Sequence, residues 1–330
     1  MKIKICLLLI SSCIVSISSP AQEQMKPMDG LQQYAVTVKS SKDKAEQKIL
    51  FYAPPESTKK SGVKTVPLLV GLHTWSTDYQ NSGKYIEDVK KRGWAFVGPD
   101  FRGSNSKPEA CASGLAVQDV LDAVEYAKKN AKIDEKRIYL VGESGGGHMS
   151  LMMAAKAPEL WAGVSAWVPI SDLAVWHAES KAAKREYYSK LEKVCGGEPG
   201  KNKKVDGEYH DRSPIFFLPN AKGLPMDINT GIHDGHTGSV PVSHALKAFN
   251  VLAEANGEKM KQISDEDIDF MVKNEKIPDS LKKEAEKDPD RKKAVLFRRE
   301  AGPVRITVFE GTHESNKEAA LNWLEKQKKK

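Results

Sequence analysis

The chain has 330 residues, with 51 Lys and Arg against 44 Asp and Glu, a formal charge of +7 and 40% hydrophobic residues. Lysines and acids interleave, and the one basic cluster is the tail from Lys326 to Lys330, so nucleic-acid binding is a poor reading. No Cys/His cluster has metal-ligand spacing, and nothing in the sequence calls for a cofactor.

The first residues, Met1-Lys2-Ile3-Lys4, lead into an apolar run from Ile5 to Ile17 and then Ser19-Pro20-Ala21. A basic start, a short apolar stretch and a small residue at the end predict an export signal over 1–21, cut after Ala21. The run is too short to span a bilayer permanently, so no membrane span is expected and the site of action is secreted or periplasmic. An alternative is lipid attachment at Cys13 within Ile10-Ser11-Ser12-Cys13. Residues 22–330 are then expected to form a single domain, with Cys111 and Cys195 as its cysteines. These two could form one bridge or remain separate buried thiols.

After residue 60, short β-branched or apolar runs alternate with helical patterns, which predicts a mostly parallel sheet with crossover helices on both faces. Segments 34–38 and 48–52 read as opening strands. Segment 66–73 is a near-continuous apolar strand, 83–92 a helix, and 94–99 a strand. Over 115–130, Val117, Val120, Leu121, Val124 and Ala127 fall on one helical stripe. Strands follow at 137–141, 162–168, 226–232 and 305–309, and helices at 145–155, 241–254 and 317–326. Two charged insertions interrupt this rhythm. One, at 173–220, carries Trp176, Tyr187 and Tyr188, and the other lies at 257–300 with a capped helical start at Ser264.

The chemistry centres on Gly142-Glu143-Ser144-Gly145-Gly146, between a strand and a helix. A sharp turn there lifts the Ser144 hydroxyl above the sheet edge, and the N–H of Gly145 is the expected oxyanion donor. Such a serine needs a base and an orienting acid, in the chain order Ser, acid, His. His313 follows the last strand and fits that order. His148 and His73 do not, and His177, His210, His233, His236 and His244 all precede the last strand. Asp234, after the strand at 226–232, is the expected acid, Asp172 is the alternative, and Asp227 inside the strand is read as structural. The loop Gly71-Leu72-His73-Thr74-Trp75-Ser76 should supply the second oxyanion donor, from Trp75 first and Thr74 second. In the 173–220 insertion, Trp176 is expected to line a substrate pocket, the alternative being that it pins the insertion to the domain.

Ser144, Asp234 and His313, together with Pro99-Asp100-Phe101-Arg102-Gly103-Ser104 and Ser213-Pro214-Ile215, resemble the catalytic domain of the prolyl-oligopeptidase-like family. They are also similar to the related bacterial acetyl-xylan and feruloyl esterases. The resemblance implies an α/β-hydrolase fold of about eight strands, acyl-enzyme chemistry, and ester or peptide bonds as targets. It covers residues 60–256 and 303–328. The prolyl oligopeptidases carry a β-propeller before the hydrolase domain, whereas about 40 residues separate the expected cleavage point from the strand at 66–73. The expectation is therefore a carboxylesterase acting on small-molecule or glycan esters, with an exopeptidase as the alternative. A non-catalytic binding protein of the same fold would be expected to lose part of the triad, and here every position is filled.

Overall fold

The computed structural model describes residues 30–58 and 63–330. The expected leader at 1–21 and the alternative lipid site Cys13 lie outside the described residues. The strands are β1 (Ala35–Lys39), β2 (Glu46–Tyr52), β3 (Val66–Leu72), β4 (Ala95–Pro99), β5 (Ile133–Glu143), β6 (Gly163–Trp167), β7 (Met226–Gly231), β8 (Val295–Ala301) and β9 (Val304–Phe309). The α-helices are α1 (Ile86–Arg92), α2 (Gly114–Asn130), α3 (Gly145–Lys156), α4 (Leu173–Ala182), α5 (Tyr187–Cys195), α6 (Lys203–Asp211), α7 (Ser243–Ala255), α8 (Asp265–Asn274) and α9 (Lys317–Glu325).

The strands form one nine-stranded sheet in the order β1-β2-β4-β3-β5-β6-β7-β9-β8. From β4 to β9 the neighbours run parallel, and antiparallel pairs close both edges. Buried-strand physics explains the centre. Every residue of β3 is buried, and its alternating side chains feed two cores: Leu68 and Val70 pack in one with α2, α3 and α7, while Leu69 packs in the other with α1 and α9. The α2 stripe buries Val120, Val124 and Ala127, with Ser113 capping its start by accepting from Ala116 N.

Sequence periodicity places eight of these strands and misses β8, which lies in the charged insertion. Arg298 of β8 is buried yet satisfied by Glu286, Asp288 and Thr307, so its charge hides a strand. Neither insertion stands apart. Ile263, Ile268, Met271 and Phe297 join the larger core, and α4, α5 and α6 pack on the sheet's end around Leu173, Leu191 and Val205.

The loop after β4 positions part of the site and is fixed by charge. Phe101, Arg102 and Gly103 all have positive φ, at 30°, 78° and 69°. The Arg102 guanidinium compensates for that strain. It donates to Asp119 of α2 at 2.6 and 3.1 Å and to Asp43 at 2.8 and 3.0 Å. Asp119 is fully inside the protein, so Asp119→Ala leaves a buried guanidinium with half its partners. We expect a loss of about 3 kcal/mol in a urea titration. A loss below about 1 kcal/mol would mean that Asp43 alone holds the loop.

Candidate active site

Ser144 sits where β5 ends and α3 begins, with φ 56° and ψ −119°. A non-glycine residue in that region costs about 1–3 kcal/mol, and the surroundings must impose it. Here Ser144 N donates to the Trp167 carbonyl at 2.9 Å, and its own carbonyl accepts from His148 N at 2.8 Å. The turn is thus pinned from both sides, with the hydroxyl directed away from the sheet.

His313 Nε2 lies 2.8 Å from Ser144 Oγ, and His313 Nδ1 lies 2.7 Å from Asp234 Oδ2. Asp234 is buried, and its other oxygen, Oδ1, accepts from Gly235 N at 2.9 Å and Val240 N at 3.0 Å. The acid follows β7 and the base follows β9, adjacent parallel strands, and the two loops run together. Ile232 N and His233 N donate to the carbonyls of Phe309 and Gly311. A Cβ at Gly231 would lie 2.3 Å from the Thr312 carbonyl oxygen, so only glycine lets the loops approach this closely.

On the other side of Ser144, Gly145 faces the β3 loop. A Cβ on Gly145 would stand 2.6 Å from both N and Cα of Trp75 and 2.8 Å from Asn105 Nδ2. The Thr74 N–H is already donated to Asn81 Oδ1 at 3.2 Å. Among the described residues Trp75 N finds no acceptor, while its carbonyl is held by Asn105 N at 2.8 Å. The loop therefore leaves Trp75, not Thr74, with a free N–H beside the free N–H of the first residue of α3.

The remaining candidates are engaged elsewhere. Asp172 caps α4, accepting from Ala174 N and Val175 N. Asp227 is buried against Ser165, Asn229 and Arg305, a structural ion pair inside β7. His148 is buried with Nε2 on the Arg212 carbonyl, and burial lowers its pKa to about 4. His73 contacts the carbonyls of Thr74 and Asp100. His177 pairs with Glu192, His244 with Glu179, and His210 with Asp211. His233 is bracketed by Glu275 and Glu310, whose hydrogen bonds raise its pKa, and His236 contacts the Val272 carbonyl.

Trp176 requires a correction. It is 1% exposed, 4.8 Å from the Trp75 ring and 4.9 Å from that of Tyr187, and its indole N–H donates to the Ser239 carbonyl at 2.8 Å. It is a packed side chain that ties the 173–220 insertion to the β3 loop and presents no surface to a ligand. Tyr188, in the same segment, packs instead against His177. Trp176→Ala should lower stability by about 3–5 kcal/mol in chemical denaturation and reduce turnover of all substrates alike. A changed ranking of substrates at unchanged stability would restore the pocket role. Cys111 and Cys195 are both free and buried in this same cluster. Burial pushes Cys195 up to about 12 and Cys111 higher still, so both remain protonated thiols.

Sequence reasoning gave Glu143 no role. Its carboxylate accepts from Lys84 Nζ at 2.7 Å and from Ser315 Oγ, joining the residue before Ser144 to the loop that carries His313. Burial raises its pKa, but the charge and hydrogen bond of Lys84 and the Ser315 bond outweigh that and hold it below the usual carboxylate range. Ser315 lies 172 residues away in the chain, so no local pattern announces the contact. Among the described residues, no group of three or more His, Cys, Asp or Glu is placed to hold a metal ion. No helix among them is long and apolar enough to cross a membrane.

The sequence profile of the prolyl oligopeptidase family matches residues 81–285. Acylamino-acid-releasing enzyme 1 of Oryza sativa subsp. japonica is 26% identical over 216 residues, which are 62% of this chain and 27% of that protein. The uncharacterized peptidase YtmA of Bacillus subtilis is 26% identical over 182 residues, 55% of this chain and 63% of that protein. This chain thus spans less than two thirds of either relative. Among solved structures, the acylaminoacyl peptidase of Pyrococcus horikoshii superposes with a TM-score of 0.57 at 16% identity, covering 90% of this chain and 42% of that one. The last likeness is one of fold.

Proposed function

Because the chain belongs to the prolyl oligopeptidase family and is a serine hydrolase, we propose that it cleaves acyl bonds through a Ser144 acyl-enzyme, with carboxylic esters as its substrates. The relay Ser144–His313–Asp234, closed at 2.8 and 2.7 Å, carries this reading. His313 Nε2 takes the proton as Ser144 Oγ attacks the carbonyl carbon, and Asp234 holds the imidazole in the tautomer with Nδ1 protonated. The N–H groups of Gly145 and Trp75 receive the oxyanion. His313 then returns the proton to the leaving alcohol, and water attacking by the same relay releases the acid.

The acids around the site bear on the substrate. A peptidase that grips a free amino terminus needs uncommitted carboxylates beside the nucleophile. Here Glu143 is committed to Lys84 and Ser315, Glu275 and Glu310 to His233, and Asp172 to a helix cap. That supports a substrate without a free amine. Acetyl or feruloyl esters of polysaccharide fit it, and the export segment proposed at 1–21 would bring the enzyme to them. Release of N-acylated residues from blocked peptides is the second reading, favoured by the likeness to acylamino-acid-releasing enzymes.

A turnover panel of acetyl, butyryl and feruloyl esters beside acetylalanyl and alanyl anilides separates these readings. Esters should lead by at least about tenfold in kcat/KM. An acetylalanyl anilide ahead of every ester would establish the second reading, and an alanyl anilide ahead would overturn both.

A further inference from the structure

Behind the His313 loop, on the α9 side of the sheet, lies a cavity of about 400 Å³, within the ~300–1,000 Å³ range of small-molecule sites. It is lined by the Trp167 and Phe309 rings, by Arg291 and Lys292, and by Lys317 and Glu318 at the start of α9. Neither Ser144 nor His313 lines it.

Its cationic groups come from the 291–293 segment and from Lys317 of α9. The Arg291 side chain is 2% exposed. Nε donates to Asp288 at 3.1 Å, Nη2 donates to Asn229 Oδ1 at 2.5 Å, and the guanidinium lies over the Trp167 ring at 4.8 Å. Among the described residues Nη1 has no hydrogen-bond partner, and it belongs to a residue that lines the cavity. Lys292 is exposed and pairs with no acid among the described residues. In α9 the Asn316 cap satisfies Ala319 N, and Ala320 N returns to the Asn316 carbonyl. The N–H groups of Lys317 and Glu318 are left open at the positive end of the helix dipole.

Three acids line the cavity beside them: Glu314 is bound to Lys293 and accepts from Thr312 N, Asp290 accepts from Asn322, and Glu318 is exposed at the start of α9. The Trp167 and Phe309 rings, 1% and 4% exposed, back the cavity behind those donors.

We propose that this cavity is a second ligand site, distinct from the triad, for an organic monocarboxylate with a flat apolar body. The carboxylate meets Arg291 Nη1, Lys292 and the first N–H groups of α9, and the apolar body fills the cavity that Trp167 and Phe309 back. The acid released from a feruloyl ester has this chemistry, as does any free aromatic acid, whereas acetate does not. The proposal does not depend on that reaction.

Calorimetric titration tests it on the full chain, with Ser144 blocked by a fluorophosphonate so that the triad is closed to the probe. Benzoate should bind at least about tenfold more tightly than benzyl alcohol, its neutral counterpart. Arg291→Gln should weaken benzoate by at least about tenfold. Because that change removes packing on Trp167, Lys292→Glu at an exposed and unpaired position provides a second test. It should weaken benzoate by a similar factor and leave benzyl alcohol unchanged. Equal binding of the two probes, benzoate affinity unmoved by Lys292→Glu, or loss of binding on blocking Ser144 would each overturn the site. If the fluorophosphonate fails to react, the same titration on unblocked protein still decides the cavity, because the two variants lie outside the triad.

Discussion

Replacing Ser144 by alanine should lower turnover by at least about a thousandfold and leave the fold standing. Among the described residues, the only hydrogen bond that Ser144 Oγ makes is to His313 Nε2, so the change removes no other such contact. The strained backbone at φ 56° persists, because the Trp167 carbonyl and His148 N hold the turn through the main chain. His313→Ala should cost about as much, and the double variant little more than either alone, because nucleophile and base act as one unit. Initial rates on the best ester and a thermal melt make the test. Turnover within about tenfold of the wild type would show that another group attacks the substrate.

Asp234→Asn should reduce turnover by about ten-thousandfold with the melting temperature little changed. The reason lies in how Asp234 is held. Its Oδ1 accepts from Gly235 N and Val240 N, and an asparagine oxygen keeps both bonds. That choice turns the amide NH₂ toward His313 Nδ1, where the carboxylate Oδ2 had accepted at 2.7 Å. The imidazole must then carry its proton on Nε2 and cannot take the one on Ser144. Asp172→Asn should be mild, because asparagine caps a helix nearly as well as aspartate. If Asp172→Asn were the damaging change, the acid would belong to the loop after β6.

Much of the site was legible because its signals are local or ordinal. The strand, the Gly-x-Ser-x-Gly turn and the helix after it are neighbours in sequence, and the positions of Asp234 and His313 follow from chain order in this fold. The sheet was legible wherever burial on both faces makes a strand apolar throughout, as in β3 and β4. It was not legible where tertiary partners neutralise charge. β8 carries Arg298 and Arg299, which reads as surface until Glu284, Glu286 and Asp288 are folded against them. The same limit applied to Trp176. An aromatic residue among Lys and Glu reads equally as wall or anchor, and the Ser239 carbonyl that makes it an anchor lies 63 residues away. The partly buried link from Glu143 to Ser315 likewise appears only when two distant loops meet.

Covalent trapping shows whether His313 and Asp234 make Ser144 a nucleophile. The enzyme is treated with a fluorophosphonate, digested with trypsin, and the adduct located by mass spectrometry. A single adduct is expected on Ser144, within the peptide spanning 138–156, lost in Asp234→Asn as it is in His313→Ala. An adduct on another residue, or equal labelling of Ser144 when His313 is absent, would contradict it.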